Sequence, residues 1–348
     1  MPNLVVVANE ARSVPADLGV EIRSLGKEDG RGRVAKGLRY QRILADACRR
    51  GRPVTVVAHM CPPYLTVAAP LVKMTGSRSM LWFTHPADSP ALRRAERLAD
   101  VIVTALPGSY PRPSAKVHAI GHSIDTDHFR PQAGPPDDNT LRLVAIGRTA
   151  PTKHYLAVVR AVDLARREGV DVRLRIVGPA TKPAEHAHRQ AIASLITALG
   201  LDGSVTLEAD IDPDRIPDLL AGAHALVNAH AHGSADKVVF EAMACARPTI
   251  VSSSVFAGLL ANDGPRLTFA EGDAADLAGR MVELAGTPVD ERAALGALLR
   301  SRVEASHSLH HWADEIVRLA TEAHRSGPAP APMTGDSPTD ADRGLSPP

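Results

Sequence analysis

The chain has 348 residues, of which 44% are hydrophobic and 23% charged, proportions that exclude wholesale disorder and set two domains as the opening expectation. Its aromatic residues (Phe 5, Tyr 4, Trp 2) are too few for a platform that stacks single-stranded nucleic acid. The net charge of +1 conceals a split: residues 1–135 carry 19 Lys and Arg against 11 Asp and Glu, and the remainder carries 21 against 28. Halves of opposite sign suggest two domains with different partners.

Taken in chain order, short β-branched runs alternate with helical stretches. Strands are predicted at Leu4–Ala8, Val54–Ala58, Ser79–Thr84 and Val101–Thr104, with helices at Arg33–Arg50, Tyr64–Lys73 and Pro90–Ala99 between them. The proline-rich segment Pro131–Asn139 reads as a linker. The pattern then restarts, with strands expected at Leu141–Ile146, Val172–Val177, Val205–Leu207, Ala225–Val227, Thr249–Val251 and Arg266–Phe269. Helices fit Lys153–Glu168, Ala184–Leu199, Asp214–Ala221, Asp236–Ala246, Ala274–Ala285, Val289–Ala305 and Leu309–His324. From Gly327 to Pro348 six prolines fall in 22 residues, a composition expected to stay disordered. Alternation of this kind implies βαβ crossovers and parallel sheets. The expectation is an α/β chain of two doubly wound domains, 1–134 and 138–308, with the last helix packing back onto the first. Ligands of such sheets bind beyond the carboxyl ends of the strands.

Three scattered cysteines, Cys48, Cys61 and Cys245, allow no disulfide framework and no CxxC zinc site, which favours a reduced, cytoplasmic setting. Met1–Ala8 lacks the basic region and long apolar core of an export signal, and Cys61–Val72 is too short and too rich in proline to cross a bilayer. Residues 31–52 hold eight basic residues (Arg31, Arg33, Lys36, Arg39, Arg42, Arg49, Arg50 and Arg52) against Asp46. Val34, Leu38, Ala45 and Cys48 are expected to form the apolar stripe of that helix. The charge is either a solvated face or a patch for an anionic membrane or phosphorylated acceptor; no reading motif accompanies it, so nucleic acid is not expected as a partner.

Two segments carry chemistry. In Gly147-Arg148-Thr-Ala-Pro-Thr-Lys153 a glycine turn at a strand end precedes a helix, and the guanidinium and ammonium can converge on one anion such as a diphosphate. The plain structural account is a basic strand–helix turn. In Gly233-Ser234-Ala-Asp236-Lys237-Val238-Val-Phe-Glu241 a small-residue loop opens a helix whose first N–H groups would face the crevice. Its plain account is an intrahelical Lys237–Glu241 pair. His230, His232 and Asp236 have metal-ligand residue types but form no complete set, so no metal and no cofactor is expected.

In order and separation, GR-x-x-P-x-K at 147–153, Val177-Gly178-Pro179, Asp214–Ala223 and DKVVFEAMACARPTIVSS at 236–253 resemble the donor domain of the retaining glycosyltransferases of family 4, the group 1 transferases, which have the GT-B fold. Leu81–His85 and Ile120–Asp125 with Phe129 and Pro131 extend the likeness into the first half. The resemblance implies a sugar moved from a nucleotide diphosphate sugar to an acceptor hydroxyl with retention. It implies that Arg148 and Lys153 hold the diphosphate, Glu241 the ribose hydroxyls, and the backbone of Lys237 and Val238 the phosphates. His85 would face the donor sugar, with Gly147, Gly178, Gly233, Ser234 and Asp236 lining the donor site. Gly233 stands where the family usually has a glutamate that touches the transferred sugar. Two alternatives therefore remain open: a GT-B nucleotide-sugar epimerase, and a binding or scaffold protein without turnover.

Overall fold

A computed structural model describes residues 4–11, 20–51, 54–136, 138–231, 233 and 235–325. The first domain runs β1 (Val5–Ala8), β2 (Glu21–Ser24), α1 (Arg33–Arg50), β3 (Thr55–His59), α2 (Pro62–Met74), β4 (Arg78–Trp82), α3 (Pro90–Leu98), β5 (Val101–Thr104) and β6 (Val117–Ala119). Strands β3 to β6 form one parallel sheet in sequence order, and β1 pairs with β2 in parallel. Local chemistry sets the helix starts. Ser89 caps α3 by accepting from the Leu92 N–H, and prolines open α2 and α3, where a missing N–H costs nothing.

The second domain runs β7 (Thr140–Ile146), α4 (Tyr155–Arg167), β8 (Asp171–Val177), α5 (Pro183–Ala198), β9 (Val205–Glu208), α6 (Ile216–Ala221), β10 (Ala225–Asn228), α7 (Lys237–Ala244), β11 (Thr249–Val251), α8 (Ala257–Leu260), α9 (Gly264–Leu267), α10 (Ala274–Gly286), α11 (Val289–Ser306) and α12 (Leu309–Arg325). Its sheet is parallel throughout, in the order β11-β10-β7-β8-β9. Chain order reverses between β7 and β10, so the crevice of a doubly wound sheet opens at their carboxyl ends. Both predicted chemical segments, 147–153 and 233–241, leave the sheet there.

Two expectations need correction. Residues 264–267 are helical, not a strand, because Pro265 seats the first turn and Thr268 turns its hydroxyl back to the Gly264 carbonyl. Only an isolated bridge between Val251 and Thr268 remains of the strand. On α1 the core face is Tyr40, Ile43, Leu44 and Cys48, whereas Val34 (78% exposed) and Leu38 (56% exposed) face solvent. The large rings decide the rotation of the helix: Tyr40 meets Tyr64 of α2 edge to face at 5.4 Å. Strands β2 and β6 were not anticipated. The tail 327–348 lies outside the described residues.

The chain crosses between the domains twice, and the crossings lie side by side. Ile124 N–H donates to the His307 carbonyl (2.9 Å), Leu309 N–H to the Ile124 carbonyl (2.7 Å), and His122 N–H to His307 Nδ1 (3.1 Å). A side chain at Gly121 would put its Cβ 1.8 Å from the Ser306 carbonyl oxygen, so only glycine permits the approach. Beyond this crossing α12 returns to the first domain, where Trp312 meets Trp82 edge to face at 5.5 Å. One hydrophobic cluster accordingly joins Trp82, Val103 and Ile120 to Phe240, Met243, Leu299 and Val303. Among the described residues no helix is long and apolar enough to cross a membrane.

Candidate active site

Two glycine backbones form the floor of the crevice. A Cβ on Gly178, at the end of β8, would lie 2.2 Å from the Gly147 carbonyl oxygen. A Cβ on Gly147 would lie 3.2 Å from Nζ of Lys153, so the ammonium folds back over the turn it follows. The Tyr155 hydroxyl donates to the Gly147 carbonyl at 3.2 Å and fixes the strand exit.

Each cation of the first segment is held by its own carboxylate. Arg148, 53% exposed, donates from Nη1 to Glu185 Oε1 at 2.6 Å, and Glu185 is 4% exposed in the first turn of α5. Glu185 Oε2 accepts from the N–H and hydroxyl of Thr181, both at 2.8 Å. Those Thr181 bonds, with the Arg148 charge, hold the Glu185 carboxyl below the usual range. Lys153 is not in open solvent: its side chain is 13% exposed and its ammonium donates to Asp236. Asp236 also accepts from Asn228 Nδ2 at 2.8 Å, and its Oδ1 lies 3.1 Å from His230 Nδ1. Burial opposes the charge on Asp236, but the adjacent His230 imidazole and the Lys153 ammonium outweigh it and keep the carboxyl well below its usual range.

Glu241 lies one turn inside α7. It is buried, and its nearest cation is Lys237 Nζ at 3.6 Å. Burial raises its carboxyl, against the pull of Lys237 and His128. A buried carboxylate so loosely paired retains capacity to accept hydroxyl hydrogen bonds. Lys237 is exposed and Val238 half-buried at the helix start. Across the crevice, His85 is exposed beyond the end of β4, and its Nδ1 accepts from the Ala87 N–H at 3.0 Å. The next residue, Pro86, faces Gly233: a Cβ there would approach Pro86 Cβ to 3.0 Å, at a φ of +84°. A longer side chain at 233 would need this interdomain contact to shift. Ser234 and His232 lie outside the described residues.

The structure thus gathers Gly147, Lys153, Gly178, Asp236 and the start of α7 at one crevice, with Pro86 of the first domain across from Gly233. Arg148 and Lys153 flank the same turn but are steered by different acids. Sequence reasoning missed Glu185, Asn228 and the role of His230. An acid in the first turn of α5 and an asparagine closing β10 were the available signals. Among the described residues no group of three or more His, Cys, Asp or Glu side chains is placed to hold a metal ion. A hollow of about 280 Å³ lined by Arg142, Arg173, Arg175 and Glu208 lies on the open face of the second sheet, away from this crevice.

Two α/β domains with parallel sheets facing a shared crevice are the architecture of the GT-B fold, and solved structures of that kind match the chain. A glycosyltransferase from Rickettsia africae superposes with a TM-score of 0.72 at 15% identity, over 92% of this chain and 90% of that one. HepE of Anabaena, solved in complex with UDP, gives 0.69 at 16% identity, over 87% and 86%. Sucrose-phosphate synthase of Thermosynechococcus elongatus gives 0.67 at 18%, over 83% and 78%. Residues 140–287, most of the second domain, match the family model of glycosyl transferases group 1. No curated protein matches the chain in sequence.

Proposed function

We propose that the chain is a retaining glycosyltransferase that moves a sugar, of hexosyl type, from a nucleotide diphosphate sugar to an acceptor hydroxyl. The observation that carries this reading is the pair Lys153 and Glu241 at the two sides of the α7 start, a cation for a diphosphate and a loosely paired buried carboxylate for ribose hydroxyls. The complexes of HepE with UDP and with UDP-glucose support a donor of this class. In the reaction the bond from the sugar carbon to the diphosphate breaks and the diphosphate leaves with the electron pair. The acceptor oxygen bonds to the same face of the sugar, and its proton passes to the departing phosphate. Arg148, Lys153 and the first amides of α7 stabilise the charge that builds on the leaving group, without a metal ion. His85 is assigned to the sugar side of the crevice.

The test is incubation with UDP-, GDP- and ADP-sugars and an acceptor panel, with and without EDTA, reading nucleotide diphosphate release and product anomer. Release that depends on acceptor supports transfer; inverted product or abolition by EDTA contradicts its finer terms. Gly233 favours a second reading, a donor-binding protein without turnover, which would bind nucleotide and release none.

The acceptor side belongs to the first domain. On α1 the exposed Val34 and Leu38 share a face with Arg42, a pattern suited to the surface of an anionic membrane, and we place the protein in the cytoplasm with peripheral contact there.

A further inference from the structure

The geometry points to Asp236 as the residue that positions Lys153, and to the buried Asn228 and half-buried His230 as the cradle that holds Asp236 in place; this rests on the donor reading above. Asp236 occupies the position before the first turn of α7, where an aspartate ordinarily turns its carboxylate onto the helix amides. Here it makes no such bond. Its carboxylate turns instead into the crevice between β7 and β10, where it accepts from Lys153 and from Asn228 Nδ2 at 2.8 Å, with His230 Nδ1 lying 3.1 Å from Oδ1.

That choice of partners does two things at once. It leaves the first-turn amides of α7 uncapped by the Asp236 side chain and available to an anion from outside. It also draws the Lys153 ammonium across the Gly147 turn to the same place, so that cation and amides converge. The loops carrying the two halves are locked together, since the Ala231 N–H donates to the Thr152 carbonyl at 2.9 Å. With its carboxylate engaged by the Lys153 ammonium and the Asn228 amide and flanked by His230, Asp236 does not serve as the replacement for the acid missing at Gly233. It acts on the donor through Lys153, as a positioning residue.

The experiment is calorimetric titration of the full chain with UDP, GDP and ADP and with the matching nucleosides, for wild type, Asp236→Asn, Lys153→Met and the double variant. Asp236→Asn should weaken the preferred diphosphate by roughly tenfold or more, on the scale of a lost orienting partner, and leave the nucleoside unchanged. In the Lys153→Met background the same change should add less than about twofold, the signature of two residues acting as one unit. Wild-type affinity for the diphosphate in Asp236→Asn, an equal loss of nucleoside affinity, or a full additional loss in the double variant would overturn the inference. A wild-type chain that binds none of the diphosphates would overturn the donor reading itself and the positioning role with it.

Discussion

Arg148 Nη1 lies 2.6 Å from Oε1 of Glu185, an acid in the first turn of α5, 37 positions further along the chain. An exposed guanidinium is thereby tethered to a buried carboxylate whose other oxygen is already committed to Thr181. The tether selects one arrangement of a long side chain before any ligand arrives. Arg148→Ala should lower kcat/KM by roughly 10²–10³, the scale of one preorganised transition-state donor. Affinity for the nucleoside diphosphate should fall while that for the nucleoside holds. Arg148→Lys should stay impaired, because an ammonium lacks the planar fork. Steady-state kinetics with matched binding data decide it; wild-type turnover in a folded Arg148→Ala chain would remove the residue from the site.

The backbone periodicity of this chain was readable and its cross-chain pairings were not. Helix α1 was anticipated at its observed bounds, and β7, β8, β10 and β11 within a residue, because β10 and β11 show as continuous apolar runs and β8 as a strict apolar–polar alternation. Strand β2, Glu21–Ser24, is half-buried and charged, and β6 has three residues, so neither produces such a run. The turn 264–267 looked extended because Leu267 and Phe269 are buried two apart, although a proline-seated helical turn places them inward as well. Among the candidate residues of the crevice, Gly147, Arg148, Lys153 and Glu241 were legible from ordered motifs. Glu185, Asn228 and His230 were not: they meet Arg148 and Asp236 through tertiary geometry, and nothing in residue spacing says which acid a cation will find.

Two glycines should be irreplaceable for steric reasons. At Gly178 a Cβ would stand 2.2 Å from the Gly147 carbonyl oxygen, and at Gly121 1.8 Å from that of Ser306, both rigid backbone atoms. Gly178→Ala should lower the melting temperature and disturb the donor crevice. Gly121→Ala should separate the two interdomain crossings and lower stability as well. Gly279→Ala is the control: it lies inside α10 with open space about it, and alanine there should be neutral or stabilising by up to about 1 kcal/mol. Thermal melts of the three variants check this, and equal melts would contradict the steric argument.

The basic side chains of α1 are not equivalent. Arg39 is not a free surface charge, since its Nε donates to the Ser24 carbonyl at 2.7 Å and holds the end of β2. Reversing it would damage the fold. Val34, Leu38 and Arg42 are exposed and lie on one face of the helix. Leu38→Glu with Arg42→Glu should abolish binding to vesicles containing anionic lipid, and added salt should weaken the wild type. Equal wild-type affinity for neutral and anionic vesicles would reduce α1 to a solvated face.

His122 and His307 should make the domain junction sensitive to acid. His307 is buried against Phe240, with ring centroids 4.7 Å apart, and its Nδ1 accepts the His122 N–H, so that nitrogen must carry no proton. His122 packs between Trp82 (5.9 Å) and Phe240 (5.4 Å). Burial pushes each imidazole down to about 4 from 6.5, helped for His122 by the Lys237 charge and for His307 by His122. The sign follows from linkage. Below pH 6.5 the unfolded chain takes up protons that the folded chain refuses, so stability is full above 6.5 and declines until pH 4, where the folded histidines titrate. A shift of this size corresponds to about 3 kcal/mol for one site, and the two contacting rings together should lose less than twice that. Urea unfolding should therefore show a midpoint that drops between pH 7 and pH 4.5. His307→Asn retains an acceptor for the His122 N–H but cannot gain the proton, and should flatten that drop. An unchanged slope in His307→Asn would assign the acid sensitivity to other groups.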